Sequence, residues 1–181
     1  VTGVQTCALP ISTIRSKAPS TKIMIHYAGV SATDTNWFFT KVKSVDYDYI
    51  GLSYYPIWHG KDLATIKTTI DALGKNFSKK VLIAETAYPF TLGFNDWTNN
   101  IVGLDSQLVS GYPATAEGQK NFVLAIKDLV KSSTYGQGFA YWGGEWVSFK
   151  GNQATNGSTF ENQAFYDVSN KALPVLQAFT N

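Results

Sequence analysis

The sequence predicts an α/β fold with a parallel sheet, and three observations carry that prediction. Short apolar runs alternate four times with longer amphipathic ones, the order expected of strand-helix units. The third run, KVLIAET, is almost continuously apolar, as a strand covered on both faces must be. Polar and aromatic side chains gather where each run ends, at His26 and Tyr27, at Ser53 to Tyr55, at Glu85 and at Trp142. Periodicity alone does not separate a barrel from a doubly wound sheet, but chemistry collected at strand C-termini is the barrel arrangement. With 181 residues the chain holds a real core yet falls short of the roughly 250 residues of a complete (β/α)8 barrel.

Residues 1–11, VTGVQTCALPI, show no helix or strand period that continues past Ile11. They resemble a translated sequencing adapter, so they are expected to be non-native and the domain is expected to run over 12–181. On that reading Cys7 is not part of the natural protein and the chain is cut at its left end. KIMIHYA, residues 22–28, reads as the first strand. A helix comes next, with Asp34 as its N-cap and Trp37, Phe38 and Val42 along it. YIGLSYY, residues 49–55, is the second strand, stopped by Pro56. Leu63, Ile66, Ile70 and Leu73 share one helical face over residues 62–76, and residues 80–86 form the third strand. Residues 87–115 are rich in Pro, Gly, Asn and Asp, a loop long enough to be functional. A second amphipathic helix begins at residues 115–117 with Phe122, Ala125, Ile126 and Leu129 inward. QGFAYW, residues 137–142, is the fourth strand, and a last helix is expected near Lys171–Phe179.

Composition excludes several functions. The net charge of +2 is dispersed, so the basic footprint of a nucleic-acid binder is missing. No apolar stretch is long enough for a membrane helix. A single cysteine forms no internal disulfide, and no Cys/His cluster has metal-ligand spacing. Charged residues, at 15%, are sparse against the ~25% usual in soluble domains. Aromatic rings fill the gap, and rings with polar edges suit sugar faces as well as cores.

Glu85 is the sharpest feature. A carboxylate ending an apolar strand must reach solvent, find a partner, or belong to a site built to use it. Tyr54 and Tyr55 point to opposite faces, so one of them faces the barrel interior; either could hydrogen-bond the carboxylate. His26 ends the preceding strand and His59 lies just past the next. Trp142, in YWGGEW, could floor a sugar subsite, with Trp146, Trp58 and Trp97 on surrounding loops. Several aromatics around one carboxylate suggest a carbohydrate cleft.

The segments IGLSYYPIWHG, VLIAETAYPFTLGFNDWTNNIVG and FAYWGGEW resemble strands six, seven and eight of glycoside hydrolase family 53, the arabinogalactan endo-β-1,4-galactanases, over about residues 19–181. The resemblance implies the C-terminal half, strands five to eight, of a (β/α)8 barrel and a retaining mechanism in which Glu85 is the nucleophile. It makes His26, Tyr54, Tyr55, Trp58, His59, Trp97, Trp142 and Trp146 substrate-binding candidates, β-1,4-galactan the polymer, and an extracellular, periplasmic or cell-surface setting the expected address. The acid/base Glu of the family sits in a Gly-Asn-Glu motif on strand four, which does not occur here; GNQ at residues 151–153 lies after strand eight. Many relatives read YWEPAW where this chain reads YWGGEW. Some bacterial members bind calcium through an Asp-rich run that FNDWTNN does not reproduce, so no cofactor and no metal are expected. The same residues also fit a non-catalytic carbohydrate-binding barrel, or a related glycosidase acting on mannan or β-glucan.

Overall fold

Four parallel strands lie side by side in chain order, β1 (Met24–Tyr27), β2 (Tyr49–Ser53), β3 (Lys80–Glu85) and β4 (Gly136–Phe139). The computed structural model describes residues 2–180, with side chains from Pro10 onward; the expectation for Cys7 therefore falls outside the described side chains. A first helix, α1 (Thr2–Lys17), precedes the sheet. Each strand is linked to the next through helical structure: α2 (Ala32–Lys41) after β1, α3 (Pro56–His59) and α4 (Leu63–Phe77) after β2, and α5 (Ala116–Lys131) after the long loop that leaves β3. Parallel strands require such crossovers, and the result is half of a (β/α)8 barrel.

Alternation along the strands divides the sheet into two faces. Ile25 of β1, Ile50 and Leu52 of β2, and Val81 and Ile83 of β3 are buried toward the helices. They meet Ile66, Ile70 and Leu73 of α4 and Phe122, Val123, Ile126 and Val130 of α5 in one continuous core. The opposite face carries Met24, His26, Gly51, Ser53 and Ala84. A methyl group added at Gly51 would sit 2.7 Å from the Met24 sulfur and 3.2 Å from Ala84 Cβ, so these three pack against one another on that face and Gly51 leaves room for Met24.

β2 and β3 change register at their ends. Leu52 lies opposite Ile83, but Ser53 lies opposite Glu85. The extra residue on β3 is a β-bulge, which bends the strand and re-aims the side chain beyond it. Strict alternation from Val81 and Ile83 would send Glu85 into the helix-side core. The bulge puts it on the inner face beside Ser53.

Several expected elements shift. Ser31, not Asp34, caps α2: the Ser31 hydroxyl accepts from the Asp34 amide at 3.3 Å. Ala125 and Leu129 of α5 are only half-buried, and the inner face is completed by Gln119 and Val130. The last helix is a 3-10 segment, Pro174–Phe179, which packs along α5, where Lys127 bonds the Ala178 carbonyl at 3.0 Å, with Phe179 reaching Phe139 and Phe165. The backbone of α1 runs through Thr2–Lys17 with Pro10 inside it, where the sequence showed no period. Arg15 of that helix bonds Asp46 at 2.7 Å and Asp48 at 2.8 Å, tying α1 to the segment that enters β2. Asp48 also accepts from the Ile23 amide at 2.8 Å, and its carboxyl is held well below the usual range, first by Arg15 and then by that amide.

Phe122 is fully buried and stacks on Tyr88 with ring centroids 4.0 Å apart. Phe122→Ala should lower stability by about 3–5 kcal/mol, the usual cost of such a cavity, read as a fall in the urea midpoint.

Candidate active site

The C-terminal ends of β1, β2 and β3 bring three polar side chains together. Ser53 and Glu85 are register partners. The hydroxyl of Tyr55, two residues beyond Ser53, donates to Glu85 Oε2 at 3.0 Å. His26 approaches from β1, its Nδ1 3.9 Å from Glu85 Oε1 and its Nε2 2.8 Å from the Ser53 hydroxyl. Glu85 thus has one oxygen held by a phenol and the other facing an imidazole beyond hydrogen-bond length. Its side chain keeps 27% of its accessible surface, enough to be reached from outside.

Burial pushes the Tyr55 phenol above its ordinary value, and the neighbouring Glu85 charge pushes it further. The phenol therefore stays a donor throughout the neutral range, which is what an ionised carboxylate needs from it. His59 lies behind Tyr55: its Nδ1 accepts from the Tyr55 amide at 3.0 Å. Burial lowers the His59 pKa, partly opposed by the Glu85 charge.

Of the two tyrosines left open by alternation, Tyr55 brings its hydroxyl to Glu85 and Tyr54 does not. Tyr54 is fully buried, lies near Phe122 on the helix side, and donates to the Gly60 carbonyl at 2.9 Å. Its expected contact with a sugar is therefore corrected: it is a core residue that anchors the loop after β2. Tyr54 remains close to β3 through its backbone, whose amide donates to the Glu85 carbonyl at 2.8 Å.

The aromatics form the rim. Trp58 stands edge-on to Tyr55 at 5.1 Å and is 54% exposed. Trp142 lies just past β4, its amide bonded to the Thr86 carbonyl at 2.9 Å, which fixes it one residue beyond Glu85. Trp142 meets Trp146 edge to face at 5.5 Å, and Trp146 meets Phe160 at 5.6 Å. Trp97 is 65% exposed on the loop after β3, and its amide bonds the Ala154 carbonyl of the loop after β4 at 2.9 Å. Trp97 is thus held by the loop after β4 and not by the group around Glu85.

Sequence reasoning passed over the groups that hold these loops. The Gln119 amide nitrogen lies 3.0 Å from the carbonyls of Tyr88 and Ala164. Tyr141, half-buried but with its hydroxyl end enclosed, donates to the Gln163 carbonyl at 2.7 Å and accepts from the Tyr88 amide at 3.0 Å. Asn162 donates to the Thr91 and Val102 carbonyls at 2.8 and 2.7 Å. The signal was available for Gln119, which lies on the buried stripe three residues before Phe122; an amide there must find partners. Among the described residues, no three His, Cys, Asp or Glu side chains gather as a metal site would require. In the FNDWTNN segment Asp96 instead accepts from the Thr98 amide at 2.7 Å, and Glu161 accepts from the Asn95 amide at 2.7 Å.

Replacing Glu85 by Gln should lower the titration midpoint of the Tyr55 phenol while leaving it above 10, because the charge is removed and the burial is not. Residue-resolved 13C NMR of the tyrosine ring carbons reads this directly.

Comparison with known proteins bears on this arrangement. The arabinogalactan endo-β-1,4-galactanase of Cellvibrio japonicus is 36% identical over 164 residues, covering 87% of this chain and 43% of its own. The corresponding enzyme of Thermothelomyces thermophilus is 28% identical over 172 residues, covering 91% and 49%. The catalytic domain of a family 53 glycoside hydrolase from Ignisphaera aggregans superposes with a TM-score of 0.83 at 34% identity, over 93% of this chain and 49% of that one. The chain spans about half the length of the curated relatives it matches. The model of glycosyl hydrolase family 53 matches residues 5–179, and the chain belongs to that family.

Proposed function

We propose that the chain carries the nucleophile half of a retaining endo-β-1,4-galactanase, with Glu85 as the nucleophile. The observation that carries this is the bulge that turns Glu85 to the inner face, where Tyr55 bonds Oε2. The relatives named as galactanases support the polymer.

A retaining glycosidase needs two carboxyl groups about 5–5.5 Å apart. Glu85 attacks the anomeric carbon through Oε1, the oxygen that Tyr55 does not hold, and forms a galactosyl ester. The second carboxyl protonates the departing glycosidic oxygen and then deprotonates the water that cleaves the ester. Two other glutamates are engaged away from Glu85. Glu117 pairs with Lys120 at 2.5 Å on α5, and Glu161 holds the Asn95 amide. The Gly-Asn-Glu motif in which the resemblance places the acid/base Glu does not occur in these 181 residues, and on this reading the chain alone is inactive.

His26, bridged to Ser53, borders the ring that Glu85 attacks. Trp142 and Trp146 offer it an apolar wall, and Trp58 and Trp97 extend the groove along the polymer. Such a substrate is too large to enter a cell, so the protein acts outside the cytoplasm; no helix among the described residues is long and apolar enough to cross a membrane.

In the longer protein, Glu85→Ala should reduce reducing-sugar release from β-1,4-galactan by about 10⁴-fold or more, the scale of removing a nucleophile. Unchanged activity would make Glu85 structural, and faster release from mannan or β-glucan would change the polymer. Galactan cleavage by the 181-residue chain alone would show that the second carboxyl lies within it.

A further inference from the structure

Among the described residues Tyr55 is the group that bonds the proposed nucleophile, and the segment 54–60 holds it at the backbone in two directions. The Tyr55 carbonyl accepts from the amides of Trp58 at 3.0 Å and His59 at 2.9 Å. In return the Tyr55 amide donates to His59 Nδ1 at 3.0 Å. A capping box closes a helix start the same way, with a Glu or Gln side chain reaching back to the N-cap amide. Here an imidazole does so from the last residue of α3. Gly60, at φ +88°, then turns the chain, and its carbonyl takes the Tyr54 hydroxyl at 2.9 Å. Both tyrosines thus tether one short segment, and Tyr55 keeps little freedom except rotation of its own side chain.

An imidazole nitrogen accepts a hydrogen bond only through its lone pair, so the neutral ring carries its proton on Nε2. The Nδ1 atom is then occupied within the protein and is not free to bond a sugar. The titratable groups facing the ring are Tyr55 on the same segment, Glu85 at the end of β3, and Tyr27 at the end of β1, next to Gly29 against which the ring lies.

We propose that His59 is a positioning residue for the nucleophile: its neutral Nδ1 fixes the Tyr55 backbone so that the Tyr55 hydroxyl meets Glu85 Oε2. The catalytic part of this inference rests on the assignment of Glu85; the clamp itself does not. Protonation removes the acceptor. Because the His59 pKa is lowered by burial, the clamp is intact at neutral pH and is lost only as the pH falls below about 6.5 and through the lowered value.

Nitrogen NMR of the protein labelled at histidine and tyrosine tests the clamp without reference to catalysis. A through-hydrogen-bond coupling between the Tyr55 amide nitrogen and His59 Nδ1 is expected at pH 7 and should vanish as the ring protonates. A proton on Nδ1 at pH 7, or no coupling, overturns the proposal even if every variant misfolds. His59→Ala should move the Tyr55 phenol down toward 10 and, in the longer protein, lower kcat on galactan about tenfold with KM little changed, the scale of one lost hydrogen bond. His59→Asn, whose Oδ1 can take the place of Nδ1, should preserve both properties. An Ala variant that leaves the Tyr55 titration unchanged overturns the positioning role. Full activity in Glu85→Ala would remove the catalytic reading and leave the coupling to be judged separately.

Discussion

A single added residue in β3 decides what the site can be. Without the register change between Ile83 and Glu85, the carboxylate would join Val81 and Ile83 in the layer of Phe122 and Ile126. An unpaired charge there would be costly, and the apolar run before it gives no partner to offset that cost. With the change, Glu85 stands opposite Ser53 and within reach of Tyr55 and His26, which approach from two other strand ends. The same ladder continues past the strand ends through Tyr54 to Glu85 and Trp142 to Thr86. The heights of the tyrosine pair and of the rim tryptophan are therefore set relative to the carboxylate by backbone bonds.

The loops above this frame have no ladder of their own, so their enclosed amides and carbonyls need side chains as partners. Gln119, Tyr141 and Asn162 supply them. Gln119 rises from the apolar stripe of α5 and meets the start of the loop after β3 and the end of the loop after β4. Tyr141 does the same from the end of β4. A polar seam under the two loops lets them present Trp97, Trp142 and Trp146 outward without a second hydrophobic core.

Much of this was legible in the sequence where one period dominates. The α4 stripe of Leu63, Ile66, Ile70 and Leu73 reads as a helix, and the apolar runs locate the four strands to within a few residues. Glu85 stands out because its type breaks its run. Its face was not legible, since alternation is blind to a bulge. For the same reason Tyr54 and Tyr55 could not be ranked by pattern: they are adjacent, chemically identical and on opposite faces. Ser31 was missed as a cap because Asp34, also a good capping type, lies three residues on and supplies the amide rather than the acceptor. Residues 174–179 form a tight 3-10 segment that Pro174 opens, too short for the 3.6-residue period to show. The helix through Pro10 had no amphipathic stripe to betray it.

The division of labour between local and distant contacts comes from these geometries. Glu85, Tyr55, His59 and Ser53 are fixed by bonds that span only neighbouring strands and the segment 54–60, all among parallel strands adjacent in order. Under the proposed retaining mechanism, the second carboxyl must instead face Glu85 across open space, a separation of about 5–5.5 Å that no hydrogen-bond ladder bridges. Orientation of the proposed nucleophile is thus a local property of β2 and β3, whereas its distance to a proton donor is a property of how the barrel closes. A change in the segment 54–60 would misdirect Glu85 without altering closure; a change in closure would alter the carboxyl separation while leaving the Tyr55 bond in place.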